Sequence, residues 1–238
     1  MTTLKELRSA SHVIFDLDGL ILDTEKLYTI VANAILGQYG KSFNLETKLK
    51  VMGSTGLDMA KQVVELLEVP LSPEEYYEQV KKEYQTVMPE AQLLPGAAKL
   101  IEHLHSNNIP IAIATSSSQV TYDLKTQKHK ELLSKFHHVV CGGSDAEVKN
   151  GKPAPDIFLV CASRFSEKPK PEDCLVLEDA PNGVEAALAA GMQTIMVPSV
   201  EVPKDIKDKA HVVVASLEQA PLELFGLPAI EKCRCKDS

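Results

Sequence analysis

Short apolar runs at residues 12–15, 109–115, 138–141, 174–177, 194–197 and 211–215 punctuate the chain, and helical patterns lie between them. Apolarity within each run is continuous rather than alternating, as strands covered on both faces require. With helices interleaved, the pattern predicts an α/β fold: a Rossmann-like, doubly wound parallel sheet. One predicted helix follows Pro95-Gly96, carries Leu100, Ile101 and Leu104 on one side, and stops at Asn107-Asn108. Another starts after Pro181-Asn182-Gly183, runs through Ala186, Ala187 and Ala190, and ends at Gly191, which suits a left-handed cap.

The alternation fails between residues 24 and 93. Ile30, Val31, Ala34 and Ile35, then Met59, Ala60, Val63, Val64 and Leu67, fall at helical spacing, with no strand pattern among them. An all-helical insertion here reads two ways. It is either a long crossover whose helices pack on the sheet, or a separate cap, with residues 1–23 and 94–238 as the core and 24–93 as the helical cap. No internal repeat or long low-complexity stretch is present.

Composition narrows the function classes. The 238 residues, 44% of them hydrophobic, suffice for a core plus a smaller insert. A formal net charge of -8 argues against a surface that grips a nucleic-acid polymer or an anionic membrane, so a phosphate partner must be held by local charges. No apolar stretch reaches the roughly 20 residues that span a bilayer, and residues 1–10 lack the apolar core of a secretory signal. The expected compartment is the cytoplasm, and the expected state is a monomer. Five cysteines without framework spacing fit a reducing environment. Cys141, Cys161 and Cys174 belong to apolar runs and are read as packing residues. Cys233 and Cys235, flanked by Lys and Arg, are read as an exposed tail open to oxidation.

Four stations carry candidate chemistry. In Val13-Ile14-Phe15-Asp16-Leu17-Asp18-Gly19, two carboxylates spaced two apart on an extended segment point the same way, and neighbouring anions call for a cation. The same segment also reads as a strand ending in a solvated acidic turn. Thr115-Ser116-Ser117-Ser118 closes another strand with hydroxyls and backbone N–H groups that suit an oxyanion, or a helix cap. In Gly151-Lys152-Pro153-Ala154-Pro155-Asp156, prolines stiffen a loop around a single lysine, which is either a positioned charge or a solvated one. Glu178-Asp179 ends a fourth apolar run. Two strand ends with two acids each make an oxygen-rich site suited to Mg2+, although acids also favour the start of a following helix.

In this order, Asp16-Leu17-Asp18-Gly19, Thr115, Lys152 and Glu178-Asp179 resemble the haloacid dehalogenase superfamily of phosphohydrolases, across essentially the whole chain. The resemblance implies that residues 24–93 are a cap. It implies Asp16 as the nucleophile that forms an aspartyl-phosphate, and Asp18 as the acid that protonates the leaving alcohol and then deprotonates water. For that, the surroundings of Asp18 must favour its neutral form while a metal keeps Asp16 ionised. Implied Mg2+ ligands are Asp16, the backbone carbonyl of Asp18, Asp179, and Glu178 directly or through water. Thr115, the Ser116 amide and Lys152 would hold phosphoryl oxygens, and Glu25 is a candidate substrate contact. Within the family, residues 125–131, 178–187 and 223–228 draw the chain toward phosphatases of pseudouridine 5'-phosphate, the leading substrate among small phosphorylated metabolites. A sugar-phosphate phosphatase or a phosphosugar mutase shares the catalytic residues. From another class, a non-catalytic phosphometabolite sensor keeps the fold without turnover.

Overall fold

The computed structural model describes residues 7–51, 54, 56–199 and 202–230. Strands β1 (His12–Phe15), β2 (Ile111–Thr115), β3 (His138–Cys141), β4 (Cys174–Glu178), β5 (Gln193–Met196) and β6 (Val212–Val213) form one sheet in the order β3-β2-β1-β4-β5-β6. Every pairing is parallel, so the doubly wound prediction holds. Strand β4 extends one residue past its predicted run and β5 is shifted one residue earlier, while two other runs differ by more. The run at 109–115 becomes a strand only at Ile111, because Pro110 has no N–H for a ladder; its carbonyl instead accepts from Val13 N at 3.0 Å. The run at 211–215 keeps only Val212–Val213, an edge strand with neighbours on one side.

Helices α1 (Glu25–Leu36), α2 (Leu45–Val51), α3 (Gly56–Leu67) and α4 (Pro73–Val87) follow β1. After them come α5 (Ala97–Ser106), α6 (Gln119–Thr126), α7 (Lys130–Leu133), α8 (Asp156–Ser163), α9 (Pro181–Ala189) and α10 (Lys204–Lys207). Strand side chains alternate faces, and the burial follows that parity. Val13, Phe15, Ile113 and Leu177 join Leu100 and Leu104 of α5 in one core. Ile14, Ala112, Ala114 and Val176 join Phe158 of α8 and Ala187 of α9 in the other. Each fully buried large apolar side chain contributes about 1.5–3 kcal/mol, which is why both faces must be apolar. Helix α5 ends at Asn107, and Gly191 after α9 adopts the predicted left-handed conformation, with φ of 79°.

Helices α1 to α4 pack around a third apolar core that includes Val31, Ile35, Val63, Tyr76 and Val80. Ser72 starts α4 with a capping box: Glu75 N donates to Ser72 Oγ at 3.1 Å, and Ser72 N donates to Glu75 Oε2 at 2.8 Å. The chain enters and leaves this bundle side by side, because Asp23 N donates to Gln92 O at 2.8 Å and Leu94 N to Ile21 O at 2.9 Å. Among the described residues, no helix is long and apolar enough to cross a membrane. Cys141, Cys161 and Cys174 are buried, as packing residues should be, and burial pushes the Cys141 thiol up to about 11. Cys233 and Cys235 lie outside the described residues.

Candidate active site

Strand register brings the predicted residues together. Phe15 pairs with Leu177, and Asp16 N extends the ladder by donating to Leu177 O at 3.0 Å, which sets Asp16 beside Glu178 where both strands stop. Lys152 reaches the same place from its loop. Its Nζ donates to Asp16 Oδ1 at 2.6 Å, to Glu178 Oε1 at 2.6 Å and to Ala114 O at 3.3 Å. Asp156 closes that loop by accepting from the N–H groups of Lys149 and Asn150, at 3.1 and 2.9 Å. Lys152 is 7% exposed and therefore a placed charge, not a solvated one. Burial alone would favour its neutral form, but Asp16 and Glu178 outweigh burial and hold it protonated.

Asp16 and Asp179 sit in an excess of negative charge. Burial, opposed by Lys152 and reinforced by Glu178 and Asp18, pushes the Asp16 carboxyl up to about 7. Burial together with Glu178, Asp16 and Glu25 pushes Asp179 well above the usual carboxylate range. Among the described residues, nothing donates a hydrogen bond to the buried Asp179 Oδ2. A buried, unpartnered carboxylate oxygen facing further acids is what a cation site leaves when only protein atoms are counted. Among the described residues, no three His, Cys, Asp or Glu side chains converge as a cage. The donor set therefore suits an ion that takes two carboxylates, a main-chain oxygen and water, and Mg2+ is such an ion.

Glu178, expected to meet the metal directly or through water, is held here by protein partners. Its Oε1 faces Lys152, and its Oε2 accepts from the amides of Asp179 and Ala180 at 3.0 and 3.1 Å. The carboxylate is thus occupied by a lysine and by the start of α9, where Gly183 leaves it room: a Cβ there would lie 1.8 Å from Oε1. It thereby tethers Lys152 to the start of α9.

Asp18 also differs from expectation. Its Oδ1 accepts from Thr24 Oγ1 at 2.7 Å, from Tyr28 Oη at 3.0 Å and from Lys125 Nζ. Its Oδ2 accepts from Thr115 Oγ1 at 3.1 Å and Ser117 Oγ at 3.2 Å. Burial favours the neutral acid, but Lys125 and these donors outweigh it and hold the carboxyl below its ordinary value. These donors favour the charged form, against the neutral form that an acid role requires.

Lys125 was not singled out by the sequence reading. It sits on α6, is 1% exposed and also donates to Ser117 Oγ at 2.6 Å and Tyr28 Oη at 3.0 Å. The hydroxyl cluster after β2 splits in function. Ser118 caps α6 by accepting from Thr121 N, whereas Thr115 and Ser117 face Asp18 and Ser116 lines the cavity.

These groups form the floor of a cavity of about 180 Å³ between the sheet and the helical bundle. Its far walls are apolar and aromatic, with Phe43, Met59, Tyr76, Tyr77 and Tyr84. Glu25 lines it too, paired to Lys48 at 2.9 Å. His129 Nε2 lies 2.8 Å from Ala91 O, where the chain leaves the bundle.

The family model of the haloacid dehalogenase-like hydrolases matches residues 13–197, which span all four stations. The chain belongs to this family. A Drosophila melanogaster member named as a probable pseudouridine-5'-phosphatase is 52% identical over 225 residues, covering 94% of this chain and 97% of its own. An Arabidopsis thaliana (DL)-glycerol-3-phosphatase is 46% identical over 226 residues, covering 94% of each. The crystal structure of a Clostridium difficile β-phosphoglucomutase superposes with a TM-score of 0.76 at 26% identity, over 91% of this chain and 96% of its own. Haloacid dehalogenase-like hydrolases thus supply the fold of both the sheet and the bundle above it.

Proposed function

We propose that this member of the family is a Mg2+-dependent phosphomonoesterase acting on a small phosphorylated metabolite, with pseudouridine 5'-phosphate the leading substrate. The observation that carries the reading is Asp16: a buried carboxylate at a strand end, hydrogen-bonded to Lys152 and flanked by Asp179 with an unpaired oxygen. Asp16 attacks phosphorus, the ester P–O bond breaks, and the resulting aspartyl-phosphate is cleaved by water. Asp16, Asp179 and the backbone carbonyl of Asp18 hold the ion, which when bound neutralises charge on the phosphoryl group. Lys152 adds a second, fixed positive charge against the same oxygens, and Thr115 with the Ser116 amide completes their cradle.

Asp18 serves both steps. An arriving phosphate anion raises its proton affinity by like-charge repulsion, so the carboxyl takes up a proton with substrate and gives it to the leaving oxygen. Left as a carboxylate, it then removes a proton from the attacking water. Residues 24–93 act as the cap, and their aromatic walls suit a leaving group with a flat face, such as a nucleobase.

A glycerol or sugar phosphate is the second reading, favoured by the 46% identity to a glycerol-3-phosphatase. Phosphate release from pseudouridine 5'-phosphate, uridine 5'-monophosphate, glycerol 3-phosphate and several sugar phosphates, with and without EDTA, separates the readings. Dominance of sugar phosphates would remove the nucleotide assignment, and return of an isomerised phosphosugar would indicate a mutase. Binding without release would indicate a sensor. Asp16→Asn should lower turnover at least about a thousandfold, as loss of a nucleophile does; full retained activity would remove the mechanism.

A further inference from the structure

Lys125 is a buried cation that the reaction outlined above does not use. It lies on α6 of the sheet domain, ten positions after Thr115, and its Nζ reaches Asp18 Oδ1, Ser117 Oγ and Tyr28 Oη. Tyr28 comes from the opposite side, on α1 of the helical bundle, and its hydroxyl also reaches Asp18 Oδ1 at 3.0 Å. Lysine and tyrosine therefore meet on the same carboxylate oxygen and on each other. A lysine side chain loses rotamer freedom when fixed and must shed its hydration when buried, so a native fold keeps one only where partners offset that cost. Among the described residues, Asp18 is the one carboxylate that pairs with it.

We propose that Lys125, with Tyr28, is a positioning residue for Asp18, pinning its carboxyl at the edge of the cavity where the leaving oxygen arrives. The inference rests on the reading of Asp18 as acid and base. Lys125 exchanges no proton in it: Asp16 bonds to phosphorus, the ester bond breaks, and the proton that reaches the leaving oxygen is the one on Asp18. These two donors, anchored on different sides of the cavity, join Thr24, Thr115 and Ser117 in resisting the rotation about χ1 and χ2 that would carry the carboxyl away. Proton transfer demands such placement, since a positioned acid contributes about 10²–10⁴-fold only when it lies within hydrogen-bond reach of the oxygen it serves. Because α1 supplies one of the two anchors, placement of the acid also depends on where the bundle sits.

The test exploits leaving-group chemistry. An alkyl phosphate leaves as a strongly basic alkoxide and needs the acid, whereas 2,4-dinitrophenyl phosphate leaves as a stable anion and does not. With Mg2+ present, Lys125→Met should lower kcat/KM for glycerol 3-phosphate or pseudouridine 5'-phosphate, whichever the native enzyme turns over faster, by at least about tenfold. For 2,4-dinitrophenyl phosphate it should stay within about threefold of the native enzyme. Tyr28→Phe, which keeps the ring and removes the hydroxyl, should show a smaller loss of the same selectivity, and it decides the matter if Lys125→Met fails to fold. Equal losses on both esters, or none on the alkyl ester, overturn the proposal. Asp18→Asn is the control for the underlying reading: if it lacks the ester-selective loss, the role of Asp18 is wrong, and if it has that loss while both other variants lack it, only the positioning role falls.

Discussion

Gly19 and Asp179 share a space that admits no side chain: a Cβ at position 19 would lie 2.2 Å from Asp179 Oδ2, and Gly19 holds φ at 78°. The glycine of Asp-x-Asp-Gly therefore has two duties, turning the chain after Asp18 and leaving Asp179 free to face Asp16. Gly19→Ala should bring about 1–2 kcal/mol of left-handed strain and push the carboxylate aside. The expected result is at least about a tenfold rise in the Mg2+ concentration giving half-maximal phosphate release, the size of effect seen when metal ligands lose their orientation. A Mg2+ titration of activity measures it; an unchanged midpoint would mean that Asp179 does not hold the ion.

Glu178 and Asp179 are neighbours in sequence with separate work, and paired variants distinguish them. Glu178→Gln removes one of the two carboxylates facing a buried ammonium. Breaking such a pair costs about 3–5 kcal/mol, here toward the low end because Asp16 still faces Lys152. Urea denaturation should report that loss, and the Mg2+ midpoint should move little. Asp179→Asn should do the reverse, raising the Mg2+ midpoint with little loss of stability, since its Oδ2 has no protein partner to lose. A large metal effect from Glu178→Gln would restore Glu178 to the ligand set.

The sheet was legible because strands buried on both faces must be continuously apolar, and β1, β2 and β4 are. The site's floor was legible because parallel strands end together, so Asp16, Thr115 and Glu178 needed only correct strand order to meet. Lys125 was not, for a physical reason. A lysine on a short amphipathic helix is normally solvated, and nothing in Asp123-Leu124-Lys125-Thr126 marks the side that turns inward; only the arrival of Tyr28 and Asp18 from distant segments does. The charge state of Asp18 was hidden for the same reason. The neutral form of Asp18 was expected from the acid role that the resemblance implies, and that role says nothing of the five donors supplied by Thr24, Tyr28, Thr115, Ser117 and Lys125. The aromatic cavity drew on α1 to α4, whose periodicity announced helices but not which residues would face the sheet.

Mg2+ should stabilise the fold as well as support turnover. Lys152 faces Asp16 and Glu178, while Asp179 is burdened by the charges of Glu178 and Asp16 with no such counter-charge, and a divalent ion relieves that repulsion. A ligand at a hundred times its Kd adds about 2.7 kcal/mol, which for a chain of this size raises the thermal midpoint by about 5–10 °C. Differential scanning fluorimetry in saturating Mg2+ against EDTA checks this without any substrate. Asp179→Asn should abolish the shift; a shift that persists in that variant would place the ion elsewhere.

Acid should weaken the opposite end of the strands, where His12, His137 and His138 surround Phe165. Burial lowers the pKa of His12, only partly countered by Glu167, and burial lowers that of His138 as well, with its Nε2 2.9 Å from Cys161 O. Both rings are thus neutral in the folded chain at pH 7. The unfolded chain binds the extra protons first, beginning near the ordinary value of 6.5, so stability is full above that value and falls as pH drops from it through the lower folded values. His137 adds repulsion once its neighbours charge. Thermal midpoints should therefore decline from pH 7 to pH 5, with the decline shallower in His138→Gln, whose amide keeps a donor for Cys161 O and cannot take a charge. If that variant declines as steeply as the native chain, the acid sensitivity arises from His12 or from the carboxylates at the other end of the sheet.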